Sequence, residues 1–169
     1  MSCFFRDLEL VSQFLRLHQI SVPAPFRILD IVSEFAELDA EMHRKISGPT
    51  VSDAISEEIG DLYFSLLAFT IENNLEITEI SAITEDRVCQ SIQGSLGNLS
   101  KEILRTTNYG QAPENSPTSD RVRDIVRSLF QSIKVIVHDN ELELSNCLEN
   151  VLDKYNERFR KNATMDSRG

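Results

Sequence analysis

The sequence predicts an all-α protein, a helical bundle of about six main helices formed by a tandem repeat. Three observations carry this expectation. Apolar residues recur at helical spacing along most of the chain. No β-branched run shows the alternation of a half-buried strand. One segment returns in altered form later in the chain, at an offset of 67 residues.

In chain order, a first helix is expected over 7–18. Over 26–45 the apolar positions Ile28, Ile31, Val32, Phe35, Leu38 and Met42 share one face. Pro25 precedes this helix and Gly48-Pro49 ends it. Thr50 then offers an N-cap, with Asp53 three residues on. The next helix runs over 51–73, with Ile55, Ile59, Leu62, Leu66 and Phe69 in step. A fourth begins near Thr78, either continuous or broken near Thr84, and ends around Thr106. Residues 108–120 hold Gly110, Pro113 and Pro117 and read as a surface loop. Helices over 121–138 and 145–160 complete the set, and residues 162–169 are expected to form a flexible tail.

In the repeat, Leu62, Ser65, Asn73, Leu75 and Glu76 return as Leu129, Ser132, Asn140, Leu142 and Glu143. Upstream, residues 34–42 align with 95–103 at an offset of 61. The chain is therefore expected to be one helical domain of two repeats, about 1–83 and about 84–161, related by an approximate twofold axis.

Charge and composition exclude several classes. The chain has 169 residues, 41% of them hydrophobic, with 17 basic and 27 acidic side chains, a net charge of −10. Such acidity argues against a nucleic acid polymer or an anionic membrane as partner. The longest apolar stretch, 62–71, falls short of the ~20 residues of a membrane span. The N-terminus lacks the pattern of a signal peptide. Three scattered cysteines, Cys3, Cys89 and Cys147, give neither zinc spacing nor a disulfide framework and fit a reducing cytoplasm.

Four acids stand out. Glu34 and Glu37 are neighbours on one helix, and Glu58 and Asp61 on the next. Glu34 lies roughly 90° from the centre of its apolar stripe and Glu37 about 60° further round. Glu58 and Asp61 repeat these offsets in the same sense, so in an antiparallel pair the two flanks face each other. Four converging carboxylates repel unless a cation sits among them, and an all-oxygen set suits magnesium. A solvated acidic face is the other reading of the same residues. A di-iron bundle is disfavoured, because it uses Glu-x-x-His pairs and His43 and His138 are out of step; His43 reads as a surface residue. Asp39 falls near the middle of an apolar stripe, an anomaly for a charged side chain.

Glu-Phe-Ala-Glu-Leu (34–38) followed by Glu-Glu-Ile-Gly-Asp-Leu-Tyr-Phe (57–64) resembles the MazG-type all-α nucleotide pyrophosphohydrolases. That group includes the dimeric dUTPases, the dCTP pyrophosphatases and the phosphoribosyl-ATP pyrophosphohydrolases. Leu-Asp-Lys-Tyr-Asn-Glu-Arg-Phe-Arg (152–160) is similar to the basic segment that closes such a domain. The resemblance covers most of 8–160. It implies a nucleoside triphosphate substrate, cleaved between the α- and β-phosphates into a monophosphate and pyrophosphate, a chemistry suited to nucleotide-pool house-cleaning. It implies Glu34, Glu37, Glu58 and Asp61 as ligands of magnesium, with manganese as a substitute, or one glutamate orienting the attacking water instead. Lys154 and Arg158 match phosphate-binding positions, and Asn156 is a weaker candidate for substrate contact. Tyr155 and Phe159 either belong to the core, the favoured reading, or flank a base.

The second half departs from the pattern. Ser95, Asn98, Ile125 and Ser128 stand where the first half has its acids; Arg87 could stand in for Lys154, but Cys89 and Ser91 replace Asn156 and Arg158. One active site per chain follows, with acids from one half and the basic helix from the other. A nucleotide-binding or regulatory protein without turnover is the alternative. Base preference is not legible, and the sequence admits a homo-oligomer without requiring one.

Overall fold

A computed structural model describes residues 3–45, 52–77, 88–109 and 117–166. Among them are six helices and no strand: α1 (Cys3–Leu17), α2 (Ala24–Lys45), α3 (Ser52–Glu72), α4 (Val88–Tyr109), α5 (Pro117–Asp139) and α6 (Leu144–Asp166). The all-α expectation holds. Several boundaries move. Helix α1 starts at Cys3 and α2 at Ala24. Helix α4 runs on to Tyr109 and α5 starts at Pro117, so both ends of the expected 108–120 loop are helical. Helix α6 continues to Asp166, so the stretch expected as a tail from 162 is helical through that residue. The Gly48-Pro49 stop, the Thr50 cap, residues 78–87 and most of the 108–120 loop lie outside the described residues.

Helix α3 is the centre of the bundle and packs on α1, α2, α5 and α6. Every residue from Asp61 to Thr70 is buried. The expected single stripe was too narrow: Tyr63, Phe64, Leu67 and Ala68 are buried as well. A helix covered on all sides is the reason it is apolar all round. Helices α2 and α3 form an antiparallel pair, with Arg27 opposite Glu72 near one end and the glutamates of both helices meeting about two turns further along. Helices α4 and α5 form a second hairpin.

Helix α6 lies parallel to α3. Ser56 meets Cys147, and further along Phe64 meets Tyr155. The approach is close because residue 60 is glycine. A Cβ there would lie 2.5 Å from the Cys147 carbonyl oxygen and 2.6 Å from Val151 Cγ2. Helix α1 covers the same side: its buried Asp7 accepts hydrogen bonds from Tyr63 Oη (3.1 Å) on α3 and Ser145 Oγ (3.2 Å) on α6.

Three helices end in the same way. After α1, α3 and α5 a residue with positive φ (Gln19 53°, Asn74 49°, Glu141 56°) turns the chain back. In each case the amide after it bonds to a carbonyl five residues upstream, as in Leu75 to Thr70 and Leu142 to Val137. The α3 and α5 turns coincide at the offset of 67. Because α1 uses the same turn, the coincidence alone does not establish duplication of the halves.

Candidate functional site

The α2–α3 pair brings Glu34, Glu37 and Glu58 together. Each offers a carboxylate oxygen, and these oxygens lie within 4.8 Å of one another. Burial, and then the charges of Asp61, Glu37 and Glu58, push the Glu34 pKa up to about 7. Burial, followed by the charges of Glu37 and Asp61, raises Glu58 as well. Protonation is thus one way for the cluster to relieve its repulsion, and a cation is another.

Asp61 sits one turn along α3 and is already engaged. Lys154 Nζ donates to Oδ2 at 2.6 Å and Tyr155 Oη donates to Oδ1 at 2.6 Å. Lys154 also reaches Glu57 Oε1 at 2.8 Å. Burial works against the Lys154 ammonium, but its bonds to Asp61 and Glu57 outweigh this and raise its pKa. The same hydrogen bond lowers that of Glu57. Burial and then the Asp61 carboxylate hold the Tyr155 phenol protonated well above its usual range.

The basic helix therefore does lie beside the acids, by way of Lys154. Arg158 is exposed, with its guanidinium carbon 5.8 Å from the centre of the Tyr155 ring. Asn156 points elsewhere: its Oδ1 lies 3.0 Å from His18 Nε2 on α1. Phe159, expected in the core, is 39% exposed and stacks on His18 with ring centres 4.1 Å apart. Tyr155 is half-buried, with its ring packed on the core and its hydroxyl on Asp61. Asp39 is not in the core, since its side chain is 34% exposed and sits beside His43, itself at the surface.

A cleft of ≈ 250 Å³ opens beside Glu34, walled by Phe14, Phe64, Tyr155 and Phe159 and floored in part by Arg27. The Phe14 and Phe64 rings meet edge to face at 5.6 Å, and Phe64 and Tyr155 at 5.1 Å. Arg27 is buried and forms two hydrogen bonds to Glu72, at 2.9 and 2.8 Å. Sequence reasoning missed Arg27, Glu72 and Glu57. For Arg27 a signal existed: it precedes Ile31 by four residues and Leu38 by eleven, on the buried stripe of α2. Glu72 and Glu57 carried none, because their partners are remote in sequence.

The corresponding positions of the second half, Ser95, Asn98, Ile125 and Ser128, contain no acid. The chain matches no protein-family model, no curated protein and no solved structure.

Proposed function

We propose that this chain is a magnesium-dependent nucleoside triphosphate pyrophosphohydrolase. The observation that carries the reading is the convergence of Glu34, Glu37 and Glu58 from two helices, with Lys154 on the neighbouring acid. The three glutamates offer only oxygen, so the donor set fits magnesium, and manganese shares its preference for oxygen. Bound there, the metal would offset phosphate charge and acidify a coordinated water.

The chain's own groups supply the rest of the chemistry. Lys154, fixed by Asp61 and Glu57, offers an ammonium to the phosphate chain. The aromatic cleft beside Glu34 offers flat, apolar walls to a base. In the reaction, water oxygen bonds to the α-phosphorus and the bond to the α–β bridging oxygen breaks. Nucleoside monophosphate and pyrophosphate leave, and the water's proton passes to solvent. House-cleaning of the nucleotide pool is the corresponding role.

One observation favours a second reading, a nucleotide-binding protein without turnover. Asp61 is held by both Lys154 and Tyr155, which leaves three acids for metal. Incubation with a panel of ribo- and deoxyribonucleoside triphosphates in magnesium separates the two. Pyrophosphate release is expected, and Glu58→Gln should abolish it with helical content unchanged. Nucleotide binding without release from any of the panel would favour the second reading. Unchanged turnover in Glu58→Gln would mean that the chemistry lies elsewhere.

A further inference from the structure

A larger groove, of ≈ 730 Å³, runs between α4 and α5. Its α4 wall carries Asn98, Lys101, Glu102 and Arg105, spaced to share one helix face, and its α5 wall carries Arg121 and Ile125. In the sequence alignment Asn98 and Ile125 stand where Glu37 and Glu58 stand in the first half. The two inter-helix seams thus carry opposite charge: acids converge in the first, and cations line the second.

Among the described residues the only acid paired with these cations is Glu102. Lys101 has no hydrogen bond or ion pair among the described residues. Arg105 and Arg121 each approach Glu102, at 3.6 and 3.7 Å, too far for a good hydrogen bond. Asp124, also on the groove wall, is bonded to Arg127 Nη1 at 2.8 Å. Three cations therefore face Glu102, which pairs with two of them, and Asp124, already bonded to Arg127, in a chain of net charge −10. Such a surplus attracts an anion without a metal to mediate. Leu104, 51% exposed, and Ile125 add apolar surface that an inorganic ion would not use. The volume falls in the range of about 300–1,000 Å³ common to small-molecule sites.

We infer that the α4–α5 groove binds an organic phosphate of nucleotide size directly, through Lys101, Arg105 and Arg121, without metal. The inference does not depend on the catalytic reading of the first seam.

The test is calorimetric titration of the full chain in EDTA, with a nucleoside 5′-monophosphate and with inorganic pyrophosphate as separate probes. The monophosphate should bind, more weakly as salt rises. Arg105→Ala and Arg121→Ala should each weaken it by about tenfold, the weight of one charge-assisted hydrogen bond. Both side chains are about two-thirds exposed (67% and 66%), so the variants should fold, and circular dichroism checks that they do. Lys154→Ala should leave this binding unchanged, which distinguishes the groove from the first cleft. Three results would overturn the inference: no binding in EDTA, binding insensitive to both arginine variants, or pyrophosphate bound as tightly as the nucleotide.

Discussion

At Asp61 two roles compete. Its two oxygens accept from Lys154 and Tyr155, so the acid that would be a fourth metal ligand instead anchors the basic helix. Lys154→Ala should reduce kcat/KM by roughly tenfold or more, since a lost charged hydrogen bond costs on the order of 1.5–3 kcal/mol. Arg158→Ala should cost about tenfold, less than Lys154→Ala, because among the described residues no ion pair holds its guanidinium in place. Metal affinity should not fall in the lysine variant, because the ammonium competes with an ion for Asp61. Full activity in both variants would reduce them to a solvated basic face. Glu34 carries a different expectation. Its pKa rises from 4.5 unfolded to about 7 folded, so the folded chain holds the proton more tightly. That contribution is complete below pH 4.5 and is lost as pH rises through about 7. Glu57, shifted the other way, contributes fully above its unfolded value and does not mask this window. Melting in EDTA should therefore show metal-free stability falling over that range, with a shallower fall in Glu34→Gln. Identical pH profiles for the two proteins would contradict the assignment.

At the scale of elements, Gly60 sets the distance between α3 and α6. Alanine there gains about 1 kcal/mol of helix propensity. It also drives a methyl group into a backbone carbonyl that cannot swing aside, and overpacking of this kind costs about 1–3 kcal/mol. Gly60→Ala should melt lower and turn over more slowly, because α6 carries Lys154. A neutral or stabilised variant would mean that the helices are not so close. The helices themselves were legible from periodicity, and the facing of Glu34 and Glu37 with Glu58 followed from rotation about two helix axes. The role of Gly60 was not legible, since a glycine inside a helix names no partner. The burial of α3 on all sides was also hidden. Tyr63, Phe64 and Ala68 lie off the stripe, and only the count of neighbouring helices decides whether such positions are covered. Asp39 misled for the converse reason: its wheel position is apolar, but its side chain stays 34% exposed and sits beside His43.

For the whole molecule, the juxtaposition of an acidic hairpin with a basic last helix could be read from the sequence, and α6 does bring Lys154 to Asp61. The buried Arg27–Glu72 pair could not be read as a pair, because 45 residues separate the partners. A bundle that concentrates carboxylates in one seam should be stabilised by whatever ion neutralises them. Magnesium is expected to raise the melting temperature of the wild-type chain, by mass action worth about 2.7 kcal/mol at a hundred times Kd. Glu58→Gln should melt higher than wild type without metal and respond less to it. A wild-type melting temperature indifferent to millimolar magnesium would remove the cluster as a metal site.

Parallel docking of α6 on α3 also orders events in time. The α2–α3 pair closes between neighbours in the chain, whereas Lys154 must find Asp61 across 93 residues. Loop closure over that distance costs more entropy than closing a hairpin, so the contact is expected to form late in folding. The three glutamates therefore meet before their cationic neighbour arrives, and an ion captured in that interval would act as a template for the hairpin. Once α6 has docked, the Lys154–Asp61 contact acts chiefly on the rate at which the bundle opens and hardly on the rate at which it forms.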